Sequence, residues 1–232
     1  MEEQKKKYEL TTETKMVEGT KVYRIKALTS FGDVKAGDLG GFVEKEENLS
    51  QKGNAWVKDN AWVKDNAVVT DNAVVTGSAW VGGNALVYGN TRVTGTASVK
   101  DCAVVRDNAL IEGNAVVKGN ARVTGKAWVF GEAVVKDNAL VKDNAVVTGN
   151  AVVKDYAVVK DDTVVTDNAV VSDYALVEGD DVVDGDFVVA GLTWKNSKDE
   201  KSLNLNYLKE TAKEEYSQKE NYIPKKEKQI ER

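Results

Sequence analysis

Several sets of side chains in this sequence have the type and spacing to do chemistry. Asp137, Asp155 and Asp173 recur at eighteen-residue intervals, as do Asp143 and Asp161. Aligned along one edge, such rows would offer the hard oxygen ligands that Ca²⁺ takes. Neither the spacing nor the motif is that of the calcium-binding nonapeptide repeat, however, and Lys136 and Lys154 stand beside the first row to neutralise it. Lys64, Lys100, Lys118, Lys136 and Lys154 form a second row, interrupted by Gly82. A polyanion would need that row uncompensated, yet Asp65, Asp101, Asp137 and Asp155 are adjacent in sequence. Cys102 is the single cysteine, at a turn position usually filled by Asn. It excludes an internal disulfide, fits a reducing cytoplasm, and reads as a tolerated small residue rather than a reactive thiol. Gly37-Asp38-Leu39-Gly40-Gly41 misses the dinucleotide spacing, and no Gly-Lys-Ser/Thr follows it. The expectation is no metal, no cofactor and no catalytic residue in these sets.

All the rows share one cause. Gly53 to Gly191 is a six-residue unit repeated without insertion, as in Val57-Lys58-Asp59-Asn60-Ala61-Trp62. Counted in sixes from 53, all 24 positions are Gly or Asp; from Val57, all 23 are Val except Ile111; from Ala55 to Ala175, all 21 are Ala except Thr91 and Thr163. Each unit is a short apolar strand and a turn. In Ala67-Val68-Val69, Ala67 and Val69 share one face and Val68 takes the other. Thr70-Asp71-Asn72 then supplies residues that tolerate a sharp bend. A bend every six residues coils the chain, and three sides close a triangle of eighteen. The 139 residues of the array make about 7.7 coils and roughly 37 Å of stacked parallel strands. Ala and Val at the inward positions fill a narrow prism and leave no pocket.

Aliphatic-x-(Gly/Asp)-Asn-Ala-x resembles the hexapeptide repeat of the left-handed parallel β-helix proteins, best known from bacterial acyltransferases. The resemblance covers about 60 % of the chain. It implies an all-β, single-stranded, triangular left-handed β-helix; the left hand comes from the resemblance and departs from the usual right-handed crossover. Many members have Gly just after the aliphatic residue, where this chain has Lys58, Lys64, Thr70 and Thr76. The acyltransferases resembled use a histidine as general base and interrupt their coils with loops that build the acceptor site. This chain has no histidine, and its array has no interruption, so the catalytic group cannot be carried over to any position.

Three segments follow: residues 1–52 as a β head with capping coils, 53–191 as the β-helix, and 192–232 as a helical cap or tail. In the head, Lys15-Met16-Val17, a Glu18-Gly19-Thr20 turn and Lys21-Val22-Tyr23-Arg24-Ile25 read as a β-hairpin. Phe31 to Val43 reads as a tight glycine-rich link. Extending the sixfold register backwards places Val43 and Leu49 in the Ala column, as two decayed units of a solenoid cap. Tyr23 to Val57 also resembles the head of uncharacterised hexapeptide-repeat proteins of bacteria and their phages, a likeness that implies a common build. In the tail, Ser197-Lys198-Asp199-Glu200 reads as a capping box, with Leu205, Leu208, Ala212 and Tyr216 at helical spacing before Pro224.

Net charge is −5, from 32 basic and 37 acidic residues. No segment is basic enough for a nucleic-acid footprint. No apolar run approaches the roughly 18 residues of a membrane span, and no apolar core follows the charged start, so the expectation is a cytoplasmic protein. The outward residues are the most informative. Counted in sixes from Trp56 to Val188, 20 of 23 are apolar, Arg92, Ser98 and Arg122 being the exceptions. Sorted by eighteen, one side reads Trp62, Trp80, Ser98, Val116, Val134, Val152, Val170, Val188 and carries no charge. Large apolar patches mark interaction surfaces. The expected function is therefore non-enzymatic: a self-associating scaffold or binding protein, with Trp62, Trp80, Val116, Val134, Val152 and Val170 as its interface. The resemblance favours a homo-trimer. A phage-type inhibitor of a bacterial protein and an acyltransferase-like protein lacking its histidine base are the alternatives.

Overall fold

The computed structural model describes residues 6–191 and the strand Thr193–Trp194. The helix expected after Ser197 lies outside the described residues. From Trp56 to Val188 a strand begins every six residues, and no loop interrupts the array. Each strand pairs in parallel with the one eighteen residues on, as Val116 with Val134 and Val117 with Val135. The strands fall into three sheets, one per side of the coil. The chain is thus an all-β parallel β-solenoid of eighteen residues per turn. The first side holds Trp62–Val63 through Val188–Ala190, the second Trp56–Val57 through Val182–Val183, and the third Val68–Val69 through Thr193–Trp194.

The interior follows the expected alternation. Between residues 55 and 177 every inward Ala, Val, Thr and Ile111 is at most 1 % exposed. The turns explain the Gly/Asp column. All 24 positions have positive φ, from Asp59 at 55° to Gly179 at 85°. Gly adopts that region freely, and Asp is among the few other residues that visit it.

Asp has a second role beyond turn formation. Its Oδ2 accepts the backbone N–H of the residue one coil on: Gly83 from Asp65 at 2.9 Å, Gly119 from Asp101 at 3.0 Å, Gly125 from Asp107 at 3.1 Å. Where the next residue is itself Asp the bond lengthens, to 3.4 Å for Asp155 on Asp137 and 3.3 Å for Asp173 on Asp155. The Asn that follows runs its own ladder, Asn54 Nδ2 donating to Asn72 Oδ1 and Asn72 Nδ2 to Asn90 Oδ1, both at 2.9 Å. Replacing Asp101 by Ala removes both the tolerance for positive φ and the acceptor. The expected loss on chemical unfolding is about 1–2 kcal/mol, and Asp101→Gly, which keeps the turn, should lose less.

The head is built as a cap. Strands β1 (Tyr8–Val17) and β2 (Thr20–Ala27) form the expected hairpin around Glu18 at φ 47° and Gly19 at φ 78°. Two central residues of positive φ match the right-handed twist of a hairpin. The glycine-rich link contains a strand that the sequence reading missed: β3 (Leu39–Val43), antiparallel to β2 and parallel to Trp62–Val63. Its glycines are required by space. A Cβ at Gly40 would lie 2.5 Å from Ile25 Cγ1, and one at Gly41 2.5 Å from the Ala61 carbonyl.

The backward register also needs correction. Val43 pairs with Val63 and Leu49 with Val69, an offset of twenty rather than eighteen. Two extra residues lie between Ser50, whose N–H reaches the Val69 carbonyl, and Asn54, whose N–H reaches Asp71. Val43 and Leu49 consequently fill Val slots, 0 % and 1 % exposed, and not Ala slots. Glu44 takes the part of the missing Asp, its carboxylate accepting the Asp65 N–H.

Polar side chains close this end. The Tyr8 hydroxyl donates to the Leu49 carbonyl at 2.7 Å, with the Glu46 carbonyl at 2.9 Å. Lys7 is buried, donates from Nζ to the Ala55 carbonyl at 2.9 Å, and lies 4.9 Å from the Phe31 ring centre. Burial pushes its ammonium from the ordinary 10.5 down to about 8. Between those values the unfolded chain holds the proton that the folded one has released, so the Lys7 contribution to stability rises with pH from about 8 to 10.5 and is flat below. The stability difference between wild type and Lys7→Met should change in that direction across that window. A difference constant with pH would show that Lys7 does not titrate on folding.

Candidate interaction surface

The first side brings the expected residues into one sheet. Trp62, Trp80, Ser98, Val116, Val134, Val152, Val170 and Val188 succeed one another by direct strand pairing. The indoles of Trp62 and Trp80 stack at 4.8 Å and 10°, as rung spacing requires. Lys100 Nζ lies 5.5 Å from the Trp80 ring centre. Because of the twenty-residue offset, Phe42 continues the column below Trp62. It is buried between Lys15, 4.1 Å from its ring centre, and Arg24, 4.5 Å. Sequence reasoning missed this continuation because the sixfold count puts Glu44 there. Trp62, Trp80, Val116, Val134, Val152 and Val170 are each half-buried, and Val188 is exposed.

The other two sides differ. On the second, Trp56 is packed edge-on against Tyr8 and Phe31, Arg92 is exposed, and Val146 and Val164 are buried at outward positions. On the third, Leu86 and Arg122 are exposed. The first side is therefore the one that stays uncharged from Trp62 to Val188, partly accessible at every position but the buried Ser98.

The charged rows lie where expected, and one oxygen each of Asp137 and Asp155 is already engaged. Asp137 and Asp155 each accept a backbone N–H from the next coil, and Lys136 and Lys154 approach them at 3.8 and 3.4 Å. The Asp173 N–H first, and Lys154 after it, hold the Asp155 carboxyl below its ordinary value. Among the described residues no group of three His, Cys, Asp or Glu side chains is placed to hold a metal ion. Cys102 is exposed, with Asn84 Nδ2 at 3.9 Å from its sulfur. A depression beside the cap is lined by Lys45, Glu47, Asn48, Asn66, Ala67 and Val68. Its Asn48 is spent on the fold, donating to the Asp65 and Ala67 carbonyls and accepting the Lys45 N–H. No helix among the described residues is long and apolar enough to cross a membrane.

Fold and surface together define the class, a parallel β-solenoid that carries one uncharged side along its array. No protein-family model matches the chain, and no curated protein matches its sequence.

Proposed function

We propose that this protein is a non-enzymatic scaffold of the hexapeptide-repeat type, coiled left-handed, that self-associates through its first side and acts by protein–protein contact in the cytoplasm. One observation carries the reading. A column that is apolar except for the buried Ser98 runs the length of that side, mostly half-buried and uninterrupted by charge, with stacked Trp62 and Trp80 near one end. Val suits a pleated surface in any case, but the other two sides break their columns with Arg92 and Arg122 and the first does not. Large aromatics within an apolar patch are frequent anchors of binding energy. Homo-oligomers close by symmetry, and three copies fit a triangular coil that offers one face to a central axis. Sedimentation of the full chain over a hundredfold concentration range tests the proposal. A closed oligomer that dissociates on dilution is expected; a monomer throughout would sink the reading.

A further inference from the structure

Beyond self-association, we infer that the last strand of the first side, Val188–Ala190, is a docking edge for an extended, cationic segment of another protein, which pairs with it as an added strand. The two ends of the array are finished differently. At the first end β1, β2 and β3 continue the sheet, and the Lys7 and Tyr8 side chains reach the coil backbone. At the other end Val188–Ala190 is the terminal strand of its sheet. In the coils below, the two N–H groups at these places in the strand donate to the following coil, Val152 to the Ala169 carbonyl and Lys154 to the Val171 carbonyl, both at 2.9 Å. The corresponding N–H groups of Val188 and Ala190 meet no backbone acceptor among the described residues. Val188 is also 65 % exposed. Edges of this kind are ordinarily blunted by Lys or Pro, and residues 161–191 contain neither.

Charge says what the segment must carry. Residues 161–191 hold nine Asp and Glu and no Lys or Arg, against twelve basic and ten acidic residues over 53–160. Turn chemistry accounts for Asp161, Asp167 and Asp173, which stand in the Gly/Asp column. The other six replace neutral or basic residues of earlier coils: Glu178 succeeds Lys142 and Lys160, Asp184 succeeds Thr166, and Asp186 succeeds Asn168. Lys160, at the border, pairs with Asp161 at 3.4 Å and Glu178 at 2.8 Å. Residues 192–232 hold ten basic and eight acidic residues, too even a balance to neutralise this end.

Asp184 and Asp186 precede the last strand, and Asp173 and Tyr174 follow the strand one coil below. Tyr174 is exposed, its ring stacked at 5.1 Å on that of Tyr156. An added strand takes its affinity from the main-chain bonds and its specificity from the side chains alongside. The segment that fits has aliphatic residues to continue the column above Val188 and a cation at each end. One cation meets Asp184 and Asp186. The other meets Asp173, where a guanidinium can also stack on Tyr174.

The test is a fluorescence titration of the full chain with the labelled peptide Arg-Lys-Val-Thr-Val-Lys-Arg, and a saturable complex is expected at low salt. Exchanging the peptide's cations for Glu, or methylating its backbone nitrogens, should each weaken binding by about tenfold or more. In the protein, Val188→Pro removes an edge donor and no bond among the described residues, and should weaken binding as much. Asp184→Asn with Asp186→Asn should weaken it by about threefold or more and flatten its salt dependence. Asn at 186 keeps the acceptor that Asn168 uses at 2.9 Å, so thermal unfolding of these variants should match wild type. Binding that survives backbone methylation or Val188→Pro would be charge attraction alone and would overturn the added strand. A full chain that ignores the peptide, because a second copy or its own residues 195–232 hold the edge, would overturn it too. Self-association is decided separately, by sedimentation of the chain without peptide.

Discussion

A Val117→Asp variant is expected to lose the coil around it, with an apparent stability loss of about 4 kcal/mol or more. Val117 is 0 % exposed. It lies in a ladder between Val99 and Val135, surrounded by side chains of the same kind on all three sides. A carboxylate there finds no donor, since the backbone groups of each rung are paired with the rungs on either side. It must ionise in an apolar prism or take up a proton, and either is costly. For a domain of this length the midpoint of thermal unfolding should fall by roughly ten degrees or more.

Gly119→Asp, two residues away, is the internal comparison. Its φ of 70° suits Asp, but an added Cβ would lie 2.8 Å from the Asp137 nitrogen, so the substitution is not free. The array shows how such a contact relaxes: the Asp137–Asp155 coil already stacks Asp on Asp with a 3.4 Å bond. A cost of about 1–2 kcal/mol is expected. Differential scanning fluorimetry of both variants decides, and equal midpoints would mean that inside and outside have been assigned wrongly.

The second large effect is on assembly. In a Val134→Lys, Val152→Lys double variant, two ammonium groups one rung apart would enter the centre of the proposed interface. Each must be desolvated without a partner, at several kcal/mol apiece. Light scattering should therefore show association weakened by about a thousandfold or more in affinity, to monomer at micromolar concentration. The fold should survive, because both positions face outward and are only half-buried, and circular dichroism should match wild type within the modest penalty for losing Val on a strand. An oligomer that tolerates both lysines would place the contact elsewhere.

The architecture was legible in the sequence because identical ladders leave little freedom. Once Ala and Val recur every six residues, Val117 has to be inside and Val116 outside, and the membership of each side follows by counting to eighteen. The Gly/Asp column was legible as turn chemistry, whereas its use of Asp65, Asp101 and Asp107 to hold the N–H of the next coil was not, since that bond joins residues eighteen apart and leaves no local pattern. The cap was legible only in part. The hairpin declared itself through alternation and Glu18-Gly19. β3 did not, because Gly40 and Gly41 are chosen for close approach and carry no periodicity. The two residues inserted between Ser50 and Asn54 broke the count, moved Val43 and Leu49 into different slots, and concealed Phe42 as the continuation of the candidate surface. Burial of Val146 and Val164 could not be read from their column, which is Val-rich on every side.

The eighteen-residue offset has a consequence for how such a chain can change length. A duplication or loss of one hexad leaves every turn and every inward residue intact, so the coil itself would tolerate it. It nevertheless advances everything downstream by a third of a revolution. Val134 and Val152 would leave the column begun by Trp62 and Trp80, and a charged side would take their place. Only changes in steps of three hexads preserve the phase of the surface. Copy number is thus nearly neutral for folding and strongly constrained for association, and the length of the apolar side grows or shrinks in increments of one whole coil.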